Sequence, residues 1–213
     1  MADWRQETVD TYNKHAKEFA VYFQGIGSRV KDIEKTFELA GNPKNAKVVE
    51  IGCANGRDAK EITKRTKNYI GFDIAEEFIK LARTNLPGVS FEVGDAVIYN
   101  YPQNLDIVFA FASLLHLDKE EIKQVLQKVH ASLKLGGIFF ISLKRAPEYR
   151  EYVKETKQGR RMFYYYNAAI ITELAGKDYE VVYKQESQLD ETDWLELALK
   201  KLWKRHITSW CVI

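Results

Sequence analysis

The sequence predicts an α/β fold in which a parallel sheet is covered by helices on both faces. From residue 46 onward, segments with strand and helix periodicity alternate five times, as in a parallel sheet with crossover helices. Residues 105–111 are almost continuously apolar, which is typical of a central strand buried on both faces. A glycine turn also follows the first predicted strand, Lys47 to Ile51, as in sheets of this class.

Two helices are predicted ahead of the sheet. The first covers residues 4–23 and places five residues on one face, namely Thr8, Tyr12, His15, Phe19 and Tyr22. The second covers residues 28–40, after a break at Gly25 and Gly27. We therefore expect a single domain over residues 1–213, with a helical cap at 1–45, a core formed by the sheet at 46–200 and a C-terminal tail at 201–213.

The core elements follow from periodicity and from glycine and proline positions. Strands are predicted over 47–51, 69–72, 89–93, 105–111 and 138–143, and helices over 57–66, 75–86, 122–133 and 167–175. Residues 179–183 predict a further strand. Residues 193–199 fit either a strand or a helix, but the turn-like stretch before them favours a strand in a hairpin.

Composition excludes several classes of protein. The 213 residues are 46% hydrophobic and 29% charged, with a formal net charge of +2, so no polyanionic partner is indicated. The two cysteines, Cys53 and Cys211, lack metal-ligand spacing. No apolar stretch has the length of a signal core or a membrane span. We expect a cytoplasmic protein, a monomer or homodimer, without a metal or a membrane segment.

The turn after the first strand is the most informative segment. It runs Glu50-Ile51-Gly52-Cys53-Ala54-Asn55-Gly56 and leads into a helix, a geometry that favours an anionic or polar ligand at the helix N-terminus. Its glycine spacing differs from the dinucleotide fingerprint. Ala54 and Arg57 break that fingerprint, which disfavours an NAD-dependent oxidoreductase. A tight structural turn would give the same pattern.

Two acidic residues end the next strands. Asp73 lies about 20 residues past the turn, where a carboxylate accepts from ribose hydroxyls. Asp95 ends the third strand and is placed to accept from an adenine amine. Either residue alone also fits a helix N-cap. The three strand ends together are a far more specific pattern.

With these motifs, the sequence resembles the class I S-adenosylmethionine-dependent methyltransferases of the small single-domain type. The resemblance runs from about Tyr12 to about Lys200. The motifs are Glu50 to Gly56, Gly71-Phe72-Asp73, Gly94-Asp95-Ala96, Phe111-Ala112-Ser113-Leu114-Leu115-His116 and Leu133-Lys134-Leu135-Gly136-Gly137. It implies a doubly wound, seven-stranded, mostly parallel sheet whose last strand is antiparallel.

The resemblance also implies a cofactor, S-adenosyl-L-methionine, and its binding residues. Gly52 and Gly56 would pass the methionine part, Asp73 would hold the ribose, and Asp95 with Ala96 would face the adenine. The other implied cofactor residues are Tyr12, Glu50, Cys53, Ala54, Asn55, Ile74 and Ala112. Ala54 stands where the family usually has glycine, and its methyl group is expected to crowd the cofactor. A branched side chain at Gly52 is expected to block the cofactor in a folded chain.

The methyl acceptor is expected to be a small molecule. The segment after the fourth strand lacks the Asn/Asp-Pro-Pro-aromatic motif of adenine amino methylases, and the chain lacks the Pro-Cys pair of covalent base methylases. Nucleic acid is therefore disfavoured. An RNA or protein acceptor, and a non-catalytic nucleotide-binding module on the same fold, stay as alternatives.

Four residues are candidates for acceptor binding: His116, Arg160, Arg161 and Tyr165. His116 follows the fourth strand and as a general base would titrate near neutrality. The Arg160 to Tyr166 run would close the pocket and hold an anionic group. The alternative for each is ordinary packing. The basic segment 200–206 fits a solvated helix, an RNA contact or a membrane contact.

Overall fold

The computed structural model describes residues 4–202. Its strands are β1 (Val48–Ile51), β2 (Tyr69–Asp73), β3 (Ser90–Val93), β4 (Leu105–Phe111), β5 (Leu133–Lys144), β6 (Arg150–Thr156), β7 (Gly159–Tyr165), β8 (Tyr179–Leu189) and β9 (Thr192–Lys201). Its helices are α1 (Trp4–Lys14), α2 (Ala16–Ile26), α3 (Val30–Leu39), α4 (Ala59–Ile62), α5 (Glu76–Asn85), α6 (Lys119–Ser132) and α7 (Ala168–Ala175).

Seven of these strands form one sheet in the order β3-β2-β1-β4-β5-β9-β8. The pairs among β1 to β5 are parallel, whereas β9 runs antiparallel to β5 and β8. The predicted fold class is therefore confirmed, as is the hairpin that ends the sheet. Since β1 pairs with both β2 and β4, the strand order reverses at β1.

Apolar side chains cover both faces of the sheet. Along β4, Val108 and Ala110 belong to one buried cluster, whereas Ile107 and Phe109 belong to the other. The first cluster includes α6 residues such as Val125, and the second includes Ile33 and Phe37 of α3. Burial on both sides explains why the central strand has a nearly continuous apolar sequence.

Three element predictions differ from the structure. The single helix over 4–23 is two helices with a break at His15, and Tyr22 is 63% exposed rather than on a buried face. The break has a physical reason, since α1 packs on β7 while both helices contact α5. The helix over 57–66 shortens to α4, and residues 133–137 begin β5 instead of ending α6.

The β6–β7 hairpin is the element that periodicity did not predict. Its two strands pair antiparallel and form a separate two-stranded sheet. β6 is largely exposed, so it lacks the apolar alternation that identifies a half-buried strand. Contacts with α1 hold the hairpin: the Thr8 hydroxyl accepts from the Met162 amide at 3.0 Å, and the Thr11 hydroxyl donates to the Arg160 carbonyl at 3.0 Å.

Within residues 4–202, none of the helices combines the length and the apolar character needed to cross a bilayer. The predictions about Cys211 and about residues 203–206 of the basic segment concern positions outside the described residues.

Candidate functional site

A cavity of about 530 Å³ lies at the carboxyl ends of β1 and β4. This is where the strand order reverses, the position at which doubly wound sheets bind ligands. One side of the cavity is formed by the turn after β1, with Gly52 to Asn55. The opposite side is formed by α1, α2 and the β6–β7 hairpin, with Tyr12, Phe19 and Arg161. Its volume falls in the range of small-molecule sites.

Neighbouring protein atoms leave little room for a side chain at either glycine of the turn. Gly52 has a φ of +71°, and a Cβ there would lie 2.3 Å from the Ser113 Cβ. Gly56 has a φ of +81°, and a Cβ there would meet Phe91 and Leu86. The expectation that a branched side chain at Gly52 would fill ligand space in a folded chain is therefore wrong, because it would collide with Ser113 first.

Two alanines at the cavity adopt the left-handed conformation. Ala54 has a φ of +45° and Ala112 a φ of +50°, and both line the cavity. This conformation costs a non-glycine residue roughly 1–2 kcal/mol. The Ala54 amide donates to the Asp73 carboxylate at 3.0 Å, and the Ala112 amide donates to the Ser142 hydroxyl at 3.0 Å. Backbone strain thus sits at the candidate site, held by hydrogen bonds from neighbouring strands.

Asp73 is a buried carboxylate at the cavity. Its Oδ1 accepts from the Ala75 amide at 2.9 Å, while its Oδ2 accepts from Ala54. Burial raises the pKa of Asp73 to about 6, against the opposing effect of the backbone amides. Each carboxylate oxygen can accept more than one hydrogen bond, so both keep acceptor capacity. The Asn55 Oδ1 nearby is buried, and no residue between 4 and 202 donates to it.

Glu50 and Cys53 are both buried in the same region. Glu50 accepts a hydrogen bond from the Tyr69 hydroxyl and lies behind the cavity wall, and burial raises the pKa of its carboxyl. Cys53 lines the cavity, and burial raises the pKa of its thiol. A thiol that stays protonated suits a packing residue rather than a nucleophile.

An ion pair lies just after the end of β3. The Asp95 carboxylate pairs with Arg5 of α1, which also pairs with Glu121. Gly94 and Ala96 line the cavity beside it, but the Asp95 side chain does not. Of the predicted cofactor residues, the cavity therefore gathers Tyr12, Gly52, Cys53, Ala54, Asn55, Asp73, Ile74, Ala96 and Ala112. It leaves Glu50, Gly56 and Asp95 outside.

A hydrogen-bond network joins three elements at the opposite wall. The His116 Nδ1 lies 2.5 Å from the Met162 carbonyl oxygen and its Nε2 lies 2.9 Å from the Tyr12 hydroxyl. A carbonyl only accepts, so Nδ1 carries the proton and Nε2 accepts from Tyr12. The Tyr12 oxygen in turn accepts from the Arg161 guanidinium at 3.3 Å.

His116 is neutral in this network. Burial lowers its pKa to about 3, and the nearby charges of Arg161 and Lys144 act in the same direction. The expectation that it titrates near neutrality is therefore wrong. An imidazole with so low a pKa is a weak base. The arrangement therefore suits His116 to orienting Tyr12 rather than to accepting a proton from a substrate.

Arg160 and Tyr165 do not line the cavity. The Arg160 guanidinium pairs with Glu7 at 2.8 Å and lies over the Trp4 ring, while the Tyr165 ring lies under Arg150. In β7, Arg161 and Phe163 line the cavity instead. Alternation along the strand explains the position of Arg160, which is adjacent to Arg161, whereas Tyr165 shares the face of Arg161 and Phe163 but lies beyond the cavity lining.

Several cavity residues were not predicted from the sequence, among them Lys144, Lys154, Phe78 and Trp194, whereas Phe163 lies within the Arg160 to Tyr166 run that was expected to close the pocket. Lys144 ends β5, so the strand-end rule that identified Asp73 would have found it. Lys154 lies in the hairpin that periodicity missed. Phe78 and Trp194 have ordinary core-like patterns, and nothing in the sequence separates them from packing residues.

A family model described as a methyltransferase domain matches residues 48–137. The chain is 28% identical over 136 residues to the trans-aconitate 2-methyltransferase of Variovorax paradoxus, covering 62% of this chain and 50% of the relative. It is also 28% identical over 125 residues to the phosphoethanolamine N-methyltransferase of Plasmodium falciparum, covering 53% of this chain and 47% of the relative. The chain thus spans about half the length of these curated relatives.

Solved structures share the fold over most of the chain. A 1,6-didemethyltoxoflavin-N1-methyltransferase from Burkholderia thailandensis, solved with its substrate and S-adenosylhomocysteine, has a TM-score of 0.70 at 16% identity, covering 95% of this chain and 92% of that one. A TehB-like S-adenosylmethionine-dependent methyltransferase from Corynebacterium glutamicum has a TM-score of 0.64 at 18% identity, covering 88% and 98%. At these identities the likeness concerns the fold.

The contact between Gly52 and Ser113 predicts a difference between two glycine substitutions. Gly52→Ala and Gly88→Ala both place a methyl group on left-handed backbone, but the space beside Gly88 is open. Both variants are destabilised by a non-glycine residue on left-handed backbone, while Gly52→Ala is destabilised by about 1–3 kcal/mol more, the cost of steric overlap with Ser113. Urea unfolding followed by circular dichroism should therefore show the larger loss of stability in Gly52→Ala.

Adding Ser113→Gly to Gly52→Ala should recover part of that loss, since it removes the opposing Cβ. Equal losses in the two single variants would show that the turn accommodates the methyl group.

Proposed function

We propose that the chain is a class I S-adenosylmethionine-dependent methyltransferase that transfers a methyl group to a small molecule bound in the cavity, and the methyltransferase-domain match over residues 48–137 supports this proposal. The observation that carries this proposal is the cavity itself, with a glycine turn and a buried carboxylate at one side and a polar, aromatic wall at the other. The relatives named for trans-aconitate and phosphoethanolamine support a small acceptor. The cytoplasmic location and the monomeric or homodimeric state stay predictions.

The proposed cofactor site lies at the glycine turn. S-adenosylmethionine fits there because Asp73 has acceptor capacity for ribose hydroxyls and Asn55 presents a buried Oδ1 that lacks a donor within residues 4–202. The backbone of Gly52 to Ala54 would pass the methionine part. Asp95 would not contact adenine directly; it would hold Arg5, which lines the cavity, by an ion pair.

Positioning is the main task of the chain's own residues in this reaction. The cofactor supplies an electrophilic methyl group on a sulfonium, whose departure leaves a neutral thioether. The protein must hold the acceptor in line and exclude water. Tyr12, His116 and Arg161 do so by tying α1 and the β6–β7 hairpin to the end of β4, over the cavity.

Asp73 makes cofactor affinity depend on pH. Its ionised carboxylate accepts charge-assisted hydrogen bonds from the ribose hydroxyls, whereas the protonated acid is a weaker acceptor, and its pKa in the free protein is about 6. Lowering the pH through that value should weaken S-adenosylhomocysteine binding, by at most about tenfold per pH unit. Affinity should stay constant from about pH 7 to pH 8. Titration calorimetry across this range measures the effect.

Two variants assign this pH dependence to Asp73. Asp73→Asn removes the titrating group and should abolish the loss of affinity at low pH. Asp73→Ala should lose most binding at every pH, because each hydrogen bond to a charged group contributes roughly 1.5–3 kcal/mol. The same acid transition in Asp73→Asn would place the titrating group elsewhere.

Methyl transfer itself is tested with cofactor labelled on the methyl group. The protein is incubated with a cell extract separated into small-molecule, RNA and protein fractions. We expect label in the small-molecule fraction, and far less with Asp73→Ala, which should lose most cofactor binding. Label confined to RNA or protein would reverse the proposed acceptor class. Cofactor binding without transfer to any fraction would indicate a binding module.

His116→Ala separates positioning from proton transfer. Loss of the bond to Tyr12 should lower turnover by about tenfold to a hundredfold, while S-adenosylhomocysteine affinity stays within about threefold. Because burial lowers the pKa of His116 to about 3, the dependence of kcat on pH near neutrality should keep its shape in the variant. A transition near the ordinary histidine pKa that disappears with His116→Ala would make it a general base.

A further inference from the structure

Three cationic side chains meet at one wall of the cavity. Lys144 ends β5, Lys154 lies in β6 and Arg161 lies in β7. Other cations of the cavity have acidic partners, as Arg5 pairs with Asp95 and Arg57 pairs with Asp58. No carboxylate of the described chain forms an ion pair with any of the three. The wall therefore carries positive charge that the protein does not neutralise.

The hairpin register places two of these cations side by side. Lys154 is directly opposite Arg161 in the β6–β7 ladder, and the next pair is Glu155 with Arg160. Opposite residues of a ladder share a face, where like charges destabilise and opposite charges stabilise. The outward pair is complementary, and Arg160 has a second acidic partner in Glu7. The pair facing the cavity is repulsive.

The surroundings of Lys144 show the same repulsion. Burial lowers its pKa to about 8, and the positive charges of Lys154, Arg161 and Arg150 act in the same direction. Its ammonium lies 4.1 Å from the Phe163 ring centroid and 5.4 Å from that of Tyr165. Aromatic faces compensate a cation only in part. A negative ligand would relieve the remaining repulsion.

Arg161 has the geometry to bind that ligand. Its guanidinium is held over the rings of Phe19 and Phe163, at 4.6 Å and 5.5 Å from the ring centroids. One amino group donates to Tyr12, and the Nε is buried without an acceptor in residues 4–202. A guanidinium has five N–H donors in a planar fork that matches a carboxylate or a phosphate. Most of these donors are unused.

The acidic residues of the cavity do not serve as partners for the three cations. Glu18 accepts from Gln158 and His15, Asp58 pairs with Arg57, and Asp73 accepts from backbone amides. Asp190 lies in the turn between β8 and β9 and forms no ion pair with them.

We propose that Lys144, Lys154 and Arg161 form an oxyanion-binding subsite that holds a carboxylate or phosphate group of the methyl acceptor. This proposal rests on the proposed function and specifies its substrate class. Lys144 and Arg161 are half-buried and fix the anion, whereas Lys154 is exposed at the mouth and attracts it. The bond from Arg161 to Tyr12 links the bound anion to α1 above the cavity.

The subsite is tested on protein saturated with S-adenosylhomocysteine, in a buffer without phosphate or carboxylate. Inorganic phosphate and succinate are titrated by calorimetry, with the neutral diamide of succinate as the comparison. We expect one or both anions to bind and the diamide not to bind. Binding of phosphate alone or of succinate alone identifies which oxyanion the subsite selects. Equal binding of succinate and its diamide, or no binding of either anion, would overturn the proposal.

Single charge removals assign the anion to the cluster. Arg161→Gln and Lys144→Gln should each weaken anion binding by about tenfold or more. Lys64→Gln removes the same charge from an exposed lysine that pairs with Glu61 on α4, and should bind anions as the wild type does. Because Lys144→Gln leaves the ring contacts of Arg161 in place, it tests the subsite even where Arg161→Gln loses its fold.

The outcomes distinguish this proposal from the proposed function. If S-adenosylhomocysteine does not bind, the cofactor assignment itself is wrong. If it binds, with an affinity within about threefold in all variants, while Arg161→Gln and Lys144→Gln keep full anion affinity, the subsite is wrong and methyl transfer to a neutral acceptor stands. Loss of anion affinity in both variants, with S-adenosylhomocysteine binding intact, supports the subsite.

Discussion

The sharp turn after β1 is the constraint on which the rest of the structure depends. The Gly52 and Cys53 amides both donate to the Phe72 carbonyl of β2, and the Ser113 hydroxyl donates to the Ile51 carbonyl from the far end of β4. The turn is thereby tied to the strands on both sides of β1. These bonds require the chain to reverse with left-handed backbone at Gly52 and Ala54. The same reversal opens the cavity between the strand ends, so the fold and the site share one cause.

The two sides of the cavity are built by different means, and this decides what the sequence predicts. The cofactor side consists of strand ends close in sequence order, where a buried strand, a glycine and an acidic residue recur in a fixed pattern. Asp73 and Asn55 were therefore predictable, as were the central strand and α5. The acceptor side joins α1, the end of β4 and β7, which are far apart in the chain. Local periodicity holds no information about such a meeting, so of the predicted acceptor residues His116 and Arg161 line the cavity, whereas Arg160 and Tyr165 do not.

Tertiary contacts account for the remaining differences between expectation and structure. The sequence alone suggests an ordinary pKa for His116, and only its desolvation in the fold shows that it is neutral. Asp95 differs because its ion-pair partner, Arg5, comes from α1, outside the sheet. The sequence thus predicts correctly that a residue lies at a strand end, while tertiary contacts decide which groups its side chain binds.

The electrostatics of the cavity connect its two sides. S-adenosylmethionine carries a sulfonium charge, and the cavity already holds three cations without acidic partners. In a site shielded from water, like charges repel more strongly than in solution, so the positive wall opposes the charged cofactor more than its neutral thioether product. An acceptor with a negative group would remove this repulsion, because it would neutralise the positive wall before methyl transfer. Under the proposed function, the unpaired cations disfavour the sulfonium cofactor until an anionic acceptor neutralises them, so cofactor and acceptor would bind cooperatively.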